Sequence, residues 1–145
     1  MSDKAQRVHA IGLDKDKNFI LTKQYRYPIK TVVIDVAGGV PEQNESTQQA
    51  AEREFFEETG YKGQKIIHLG KCSIEQAKAD YWLYEYLILD CSQKGKIHGG
   101  EKVEETEVFK LPVNKAWNYI KNNRIVSCHS ISTITKALLY LQIKK

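Results

Sequence analysis

Cysteine is scarce in this chain of 145 residues: Cys72, Cys91 and Cys128 are odd in number, far apart and without a Cys-x-x-Cys spacing. Neither a disulfide framework nor a zinc site is indicated, and three reduced, mostly structural thiols are expected. Proline is confined to Pro28, Pro41 and Pro112, and neither it nor glycine forms a tract of the collagen or linker type. Long apolar runs are missing too. No window approaches the roughly 18 to 20 consecutive apolar residues of a membrane span, and the polar stretch from Met1 to Arg7 is followed by no apolar run of the signal-peptide kind. A cytoplasmic location without membrane association is the expectation. Acid is absent from Val108 onward, where Lys110, Lys115, Lys121, Arg124, Lys136, Lys144 and Lys145 stand alone. That run reads as a solvated helix face rather than a nucleic-acid surface.

What is present is ordinary globular material, 41% apolar and 28% charged, well away from disorder. The length supports one domain, residues 1–145, with a core of its own. Lysine and arginine number 22 against 18 acids, a formal charge of +4. The distribution is uneven. Between Glu45 and Glu58 lie Glu45, Glu52, Glu54, Glu57 and Glu58 with one base, Arg53, a local charge of −4 that leaves +8 for the remainder. Like charges packed into about four helical turns repel one another unless a cation compensates them.

The coarse elements alternate without a linker or an internal repeat. Val8–Leu13 and Phe19–Tyr25 read as strands joined by the polar run Asp14–Asn18, and Thr31–Val36 as a β-branched third strand beyond Pro28. Gly38-Gly39-Val40-Pro41 reads as a loop, followed by a helix over Glu45–Thr59 with Asn44 as cap and Gly60 as stop. Lys65–Leu69 and Tyr81–Asp90 read as strands. In the latter Trp82, Tyr84, Tyr86 and Ile88 share one face, and Leu83, Glu85, Leu87 and Leu89 the other. Glu105–Leu111 offers a further strand, a helix opens at Pro112 or Val113 and runs through Trp117 and Ile120, and Ser130–Leu141 is helical with Ile131, Ile134, Leu138 and Leu141 in register. Strands before, between and after helices predict an α/β fold, a mixed β-sheet flanked by helices.

At roughly 100° per residue, Glu54, Glu57 and Glu58 fall within an arc of about 100°, so three carboxylates share one helix face. Hard divalent cations take several oxygen ligands, and Mg²⁺ in particular combines carboxylates with water and substrate phosphates. Glycines just upstream let backbone approach the same place closely. The pattern is that of metal-dependent phosphoryl chemistry. No competing Ser/His/Asp arrangement exists, since His9, His68, His98 and His129 lack suitable local partners.

The segment GVPEQNESTQQAAEREFFEETGY resembles the Nudix box, G-x5-E-x7-R-E-U-x-E-E-x-G-U with U bulky apolar or aromatic, at Gly39, Glu45, Arg53, Glu54, Phe55, Glu57, Glu58, Gly60 and Tyr61. Every defined position matches. The resemblance implies a Nudix hydrolase, an α/β/α sandwich that cleaves a nucleoside diphosphate linked to another moiety. It implies Glu54, Glu57 and Glu58 as ligands of Mg²⁺ or Mn²⁺, Gly39 as a carbonyl donor or loop former, and Arg53 with Glu45 as an ion pair that orients the motif. The general base in many Nudix enzymes lies on a loop outside the box. Here Glu104 is preferred for it, then Glu105 and Glu101, against the alternative that these acids are a solvated connection.

A second layer of resemblance is to the ADP-ribose and nucleotide-sugar pyrophosphatases, carried by Leu21-Thr22-Lys23-Gln24-Tyr25-Arg26-Tyr27-Pro28, Ala37-Gly38-Gly39, Ala50–Glu54 and Ile120–Ile125. Tyr25 or Tyr27 stacking on a base and Arg26 pairing with a phosphate are the expected substrate contacts, with core or strand-edge packing as the alternative for each tyrosine. The chain departs from that branch in carrying Ile34-Asp35-Val36 for Glu-Leu-Pro and Ala77 where a proline is common. It also has only 38 residues before Gly39, so a monomer or a homodimer built differently is expected. A small-molecule nucleotide is the expected partner, ahead of an RNA 5′ end and of a non-catalytic nucleotide sensor.

Overall fold

The computed structural model describes residues 5–95 and 106–144. Glu101, Glu104 and Glu105 lie outside the described residues. Strands β1 (Ala5–Asp14) and β2 (Asn18–Arg26) form the expected hairpin. Its turn is shaped by Asp14, whose Oδ1 accepts from the backbone N–H of Asp16 at 3.0 Å and of Asn18 at 2.8 Å, a short side chain folding its own backbone. Pro28 opens a 3-10 turn over Tyr27–Ile29 that reverses the chain into β3 (Thr31–Asp35).

Gly38 and Gly39, expected in a loop, belong instead to a short strand β4 (Ala37–Gly39) paired with β1, Val8 opposite Gly39 and His9 opposite Gly38. Helix α1 spans Thr47–Thr59, and its cap is Ser46, not Asn44. Ser46 accepts from the Gln49 N–H while the Gln49 side chain accepts from the Ser46 N–H, a reciprocal box that Asn44, at a left-handed φ of 64°, is too early to make. Gly60 ends the helix at φ 75°, a conformation without penalty only for glycine.

Strands β5 (Tyr61–Lys62), β6 (Lys65–Ser73), β7 (Tyr81–Gln93) and β8 (Thr106–Pro112) follow, then α2 (Ala116–Lys121) and α3 (Cys128–Tyr140). The strands run β3-β2-β1-β7-β5, with β4 against β1, β6 against β7 and β8 against β2. The β1–β7 pair is parallel and the others antiparallel, so the sheet is mixed as expected. One core, with Val8, Ala10, Ala50, Ala51, Phe55 and Ile88, lies under α1. A second, with Ile11, Phe19, Leu87, Ile125, Ile134 and Leu138, lies under α2 and α3. Gly12 leaves the space that the Phe55 ring fills, and a Cβ there would collide with it. Small residues at 50 and 51 and this one large ring set the depth at which α1 rests on the sheet.

The alternation expected in β7 holds, with one surprise. Glu85 is fully buried on the leucine face, where its carboxylate accepts from Ser132 Oγ at 2.6 Å and Thr133 Oγ1 at 3.1 Å and pairs with Lys136. Three residues of α3 thus converge on one strand carboxylate. On the other face Tyr86 is buried with its hydroxyl 2.6 Å from that of Thr47, and Trp82 is half-buried beneath Lys71.

Candidate active site

Helix α1 carries its acids on a flank whose rotation is fixed by burial of Ala50, Ala51, Phe55 and Thr59. Arg53 organises the motif. Its Nε and Nη2 donate to the two oxygens of Glu45 at 2.8 and 3.0 Å, a two-pronged pair, and Nη2 also donates to the Val40 carbonyl at 3.1 Å. Its Nη1 donates to Glu54 Oε1 at 2.9 Å and to Glu57 Oε2 at 3.2 Å. One guanidinium therefore ties the loop after β4 to two of the three expected ligands, as its planar fork permits. The bonds to Glu45 push the Arg53 pKa further up, and Arg53 in turn holds the Glu45 carboxyl below its usual range. The expected Arg53–Glu45 ion pair is present.

Gly39 faces the Glu54 carboxylate so closely that a Cβ at position 39 would overlap it. This is where the motif needs a glycine. Gly38 presents its N–H to Glu58 Oε1 at 3.4 Å, a long contact. Burial, then the neighbouring Glu54 charge, pushes the Glu58 pKa up to about 8, and burial raises that of Glu54 as well. Carboxyls held above their ordinary range beside one another are an acid group that Arg53 and Arg26 compensate only in part, and a divalent cation is the natural further compensator. The donor set, all oxygen, fits a hard cation. Among the described residues no three acids, histidines or cysteines already converge on a shared point. Glu54 and Glu57 are turned to Arg53, and Glu58 to Gly38.

Of the three expected substrate contacts, Arg26 comes within electrostatic reach of Glu58. The Arg26 charge acts downward and the Asp35 charge upward on the Glu58 pKa, and Arg26 Nη2 lies 3.8 Å from Asp35 Oδ2. Tyr25 and Tyr27 are brought to each other, ring centroids 4.9 Å apart at 85°, on an exposed edge. Among the described residues no histidine joins the group. His9 is buried with Nδ1 3.1 Å from Thr133 Oγ1, and burial, His129 and Arg7 drive its pKa down to about 3. Residues the sequence reading missed are Asp35 and Ser130, whose hydroxyl donates to Asp35 Oδ1 at 2.7 Å. The signal for Asp35 was its departure from the family's Glu-Leu-Pro; for Ser130 there was none. A cavity of about 470 Å³ is lined by Gln49, Glu52, Arg53, Phe56, Lys62 and Ile88 among others. It does not include the three acids.

The chain is 26% identical over 138 residues to the methanol dehydrogenase activator of Bacillus methanolicus, covering 95% of this chain and 72% of that protein. It is 22% identical over 138 residues to the ADP-ribose pyrophosphatase of Bacillus subtilis (strain 168), with the same coverage of 95% and 72%. A crystal structure of an ADP compounds hydrolase superposes with a TM-score of 0.83 at 18% identity, over 94% of this chain and 72% of that one, and shares the fold. Residues 3–127 match the NUDIX domain. With that match and the motif's glycine, arginine and acids assembled around α1, the chain belongs to the Nudix family of hydrolases.

Proposed function

We propose that the chain is a divalent-metal-dependent pyrophosphatase that cleaves the diphosphate of ADP-ribose, or of a related nucleotide sugar, to AMP and ribose 5-phosphate. The observation that carries this reading is the acid group itself: Glu54 and Glu58, raised in pKa, lie against Gly39 and Gly38 with Arg26 alongside. The ADP-ribose pyrophosphatase and ADP compounds hydrolase relatives support the substrate class.

In this reading Glu54, Glu57, Glu58 and the Gly39 carbonyl hold Mg²⁺ or Mn²⁺, which supplies charge neutralisation on the diphosphate and acidifies the attacking water when bound. Arg53 keeps the helix and the loop after β4 in register, so the carboxylates face the reacting phosphorus from one side. Arg26 pairs with a phosphate oxygen, and Tyr25 or Tyr27 offers a ring to the base. Glu104, or else Glu105 or Glu101, accepts the proton of the attacking water.

The test is product analysis after incubation with ADP-ribose, other nucleotide sugars, dinucleoside polyphosphates and triphosphorylated RNA, each with Mg²⁺ and again with a chelator. AMP and ribose 5-phosphate, lost on chelation, are expected. Preferential cleavage of another compound would replace the substrate. Nucleotide binding without any product would make the chain a sensor.

A further inference from the structure

We propose that Asp35 is a positioning residue: anchored by α3 through Ser130, its carboxylate aims the Arg26 guanidinium at a phosphate of the substrate beside Glu58. The inference rests on the reading above and assigns to the β3 strand and the first turn of α3 a part in it.

The hydrogen-bond directions leave little freedom. The Val36 backbone N–H donates to Ser130 Oγ at 3.0 Å, so that hydroxyl's own proton goes to Asp35 Oδ1 at 2.7 Å. Ser130 is fully buried, which keeps water from replacing either bond. Thr22 Oγ1 donates to the Asp35 carbonyl at 3.2 Å, so main chain and side chain of Asp35 are both held. The remaining oxygen, Oδ2, faces Arg26 Nη2 at 3.8 Å. That separation is an ion pair longer than a hydrogen bond, so it orients the guanidinium without enclosing it. The two side chains differ in exposure as this role requires, 17% for Asp35 and 45% for Arg26. A half-buried carboxylate does the aiming and a solvent-reaching cation does the binding.

The arrangement also joins the layers. Ser130 belongs to α3, Asp35 to β3, Arg26 to the end of β2 and Glu58 to α1. A shift of α3 along the sheet moves Asp35 and, through it, the cation next to the acid group.

The experiment is a mutant cycle on two readouts. Steady-state kinetics with ADP-ribose and Mg²⁺, and calorimetric affinity for ADP with Mg²⁺, are measured for the wild type, Arg26→Ala, Asp35→Asn, the double variant, Ser130→Ala and Ser130→Thr, with thermal unfolding of each. Asp35→Asn is expected to raise KM and the ADP dissociation constant by about three- to tenfold, with a smaller change in kcat, and to add less than about twofold once Arg26 is alanine, as coupled partners do. Ser130→Ala should follow Asp35→Asn, and Ser130→Thr should restore the hydroxyl and most of the affinity. An unchanged ADP affinity in Asp35→Asn, or an equal effect with and without Arg26, overturns the positioning role. If the wild type binds ADP and the cycle closes as stated but ADP-ribose is not cleaved, the hydrolase reading fails and the positioning role stands. If the wild type does not bind ADP, the positioning role fails as well.

Discussion

Replacing Glu58 by glutamine should stabilise the metal-free protein at alkaline pH. In the folded chain burial and Glu54 raise the Glu58 pKa from 4.5 to about 8, whereas in the unfolded chain it titrates normally. Below pH 4.5 both states carry the proton and the group contributes nothing to the pH dependence. As pH rises through the interval to about 8, the unfolded state ionises first and binds fewer protons than the folded one, so stability falls. A shift from 4.5 to about 8 corresponds at 1.36 kcal/mol per unit to a loss of at most about 5 kcal/mol. Glutamine keeps the shape and the bond from the Gly38 N–H but does not ionise. Denaturant unfolding of both proteins with a chelator, at pH 5 and pH 9, reads the effect as the difference of two differences, in which titrating groups that do not interact with Glu58 cancel. The wild type should lose several kcal/mol more than Glu58→Gln. If Glu58 holds the metal as proposed, saturating Mg²⁺ should shrink that gap by binding the ionised carboxylate, and Glu58→Gln should be inactive throughout. Parallel pH curves for the two proteins would refute the argument that Glu58 is a desolvated acid only partly compensated by its neighbours.

Two further outcomes follow from features outside the acid group. Lys136→Met should leave Glu85 buried without its counter-charge and destabilise the fold by about 3 to 5 kcal/mol, seen in the denaturant midpoint; adding Glu85→Gln should recover much of that loss, and a failure to recover it would remove the ion pair as the cause. Ser46→Ala should lose the reciprocal cap of α1 and cost about 1 kcal/mol, measured by thermal unfolding; an unchanged midpoint would mean that packing of Phe55 and the alanine pair fixes the helix start alone.

The parts of the site that lie close together in sequence were legible there. Helical spacing alone puts Glu54, Glu57 and Glu58 on one flank, and the box supplies Arg53 and Glu45, only eight positions apart yet bonded through two prongs. Local chemistry carries more than residue type: Asn44 suits a cap by type, but Ser46 with Gln49 three positions on is the capping signature that forms. The glycine pair Gly38-Gly39 reads as a loop by composition and is a strand because β1 offers Val8 and His9 as partners. What sequence hides is contact at long separation. Ser130 and Asp35 are 95 positions apart and Lys136 and Glu85 are 51 apart, so no periodicity joins them. Alternation placed Glu85 among leucines, correctly, but only the arrival of Ser132, Thr133 and Lys136 from α3 explains how a carboxylate is tolerated there. The tyrosines at 25 and 27 illustrate the converse: an appealing motif whose rings pack first on each other.

The parallel pairing of β1 with β7 has a consequence for the order in which this chain assembles. Ala5 lies opposite Tyr81 and the ladder continues to Asp14 opposite Cys91, so the joint at the middle of the sheet closes a loop that contains β2, β3, β4, α1, β5 and β6. Every box residue is made within that loop. Closing it carries an entropic cost before any of its contacts forms, and contacts of such high sequence separation slow folding. A nascent chain ending just after α1 would hold all nine motif positions and still lack β7, whose Ile88 and Tyr86 complete the floor beneath the helix. Complete chemistry in sequence therefore precedes a complete site in space, and the earliest fragment able to hold the acids against Gly38 and Gly39 extends at least to the end of β7.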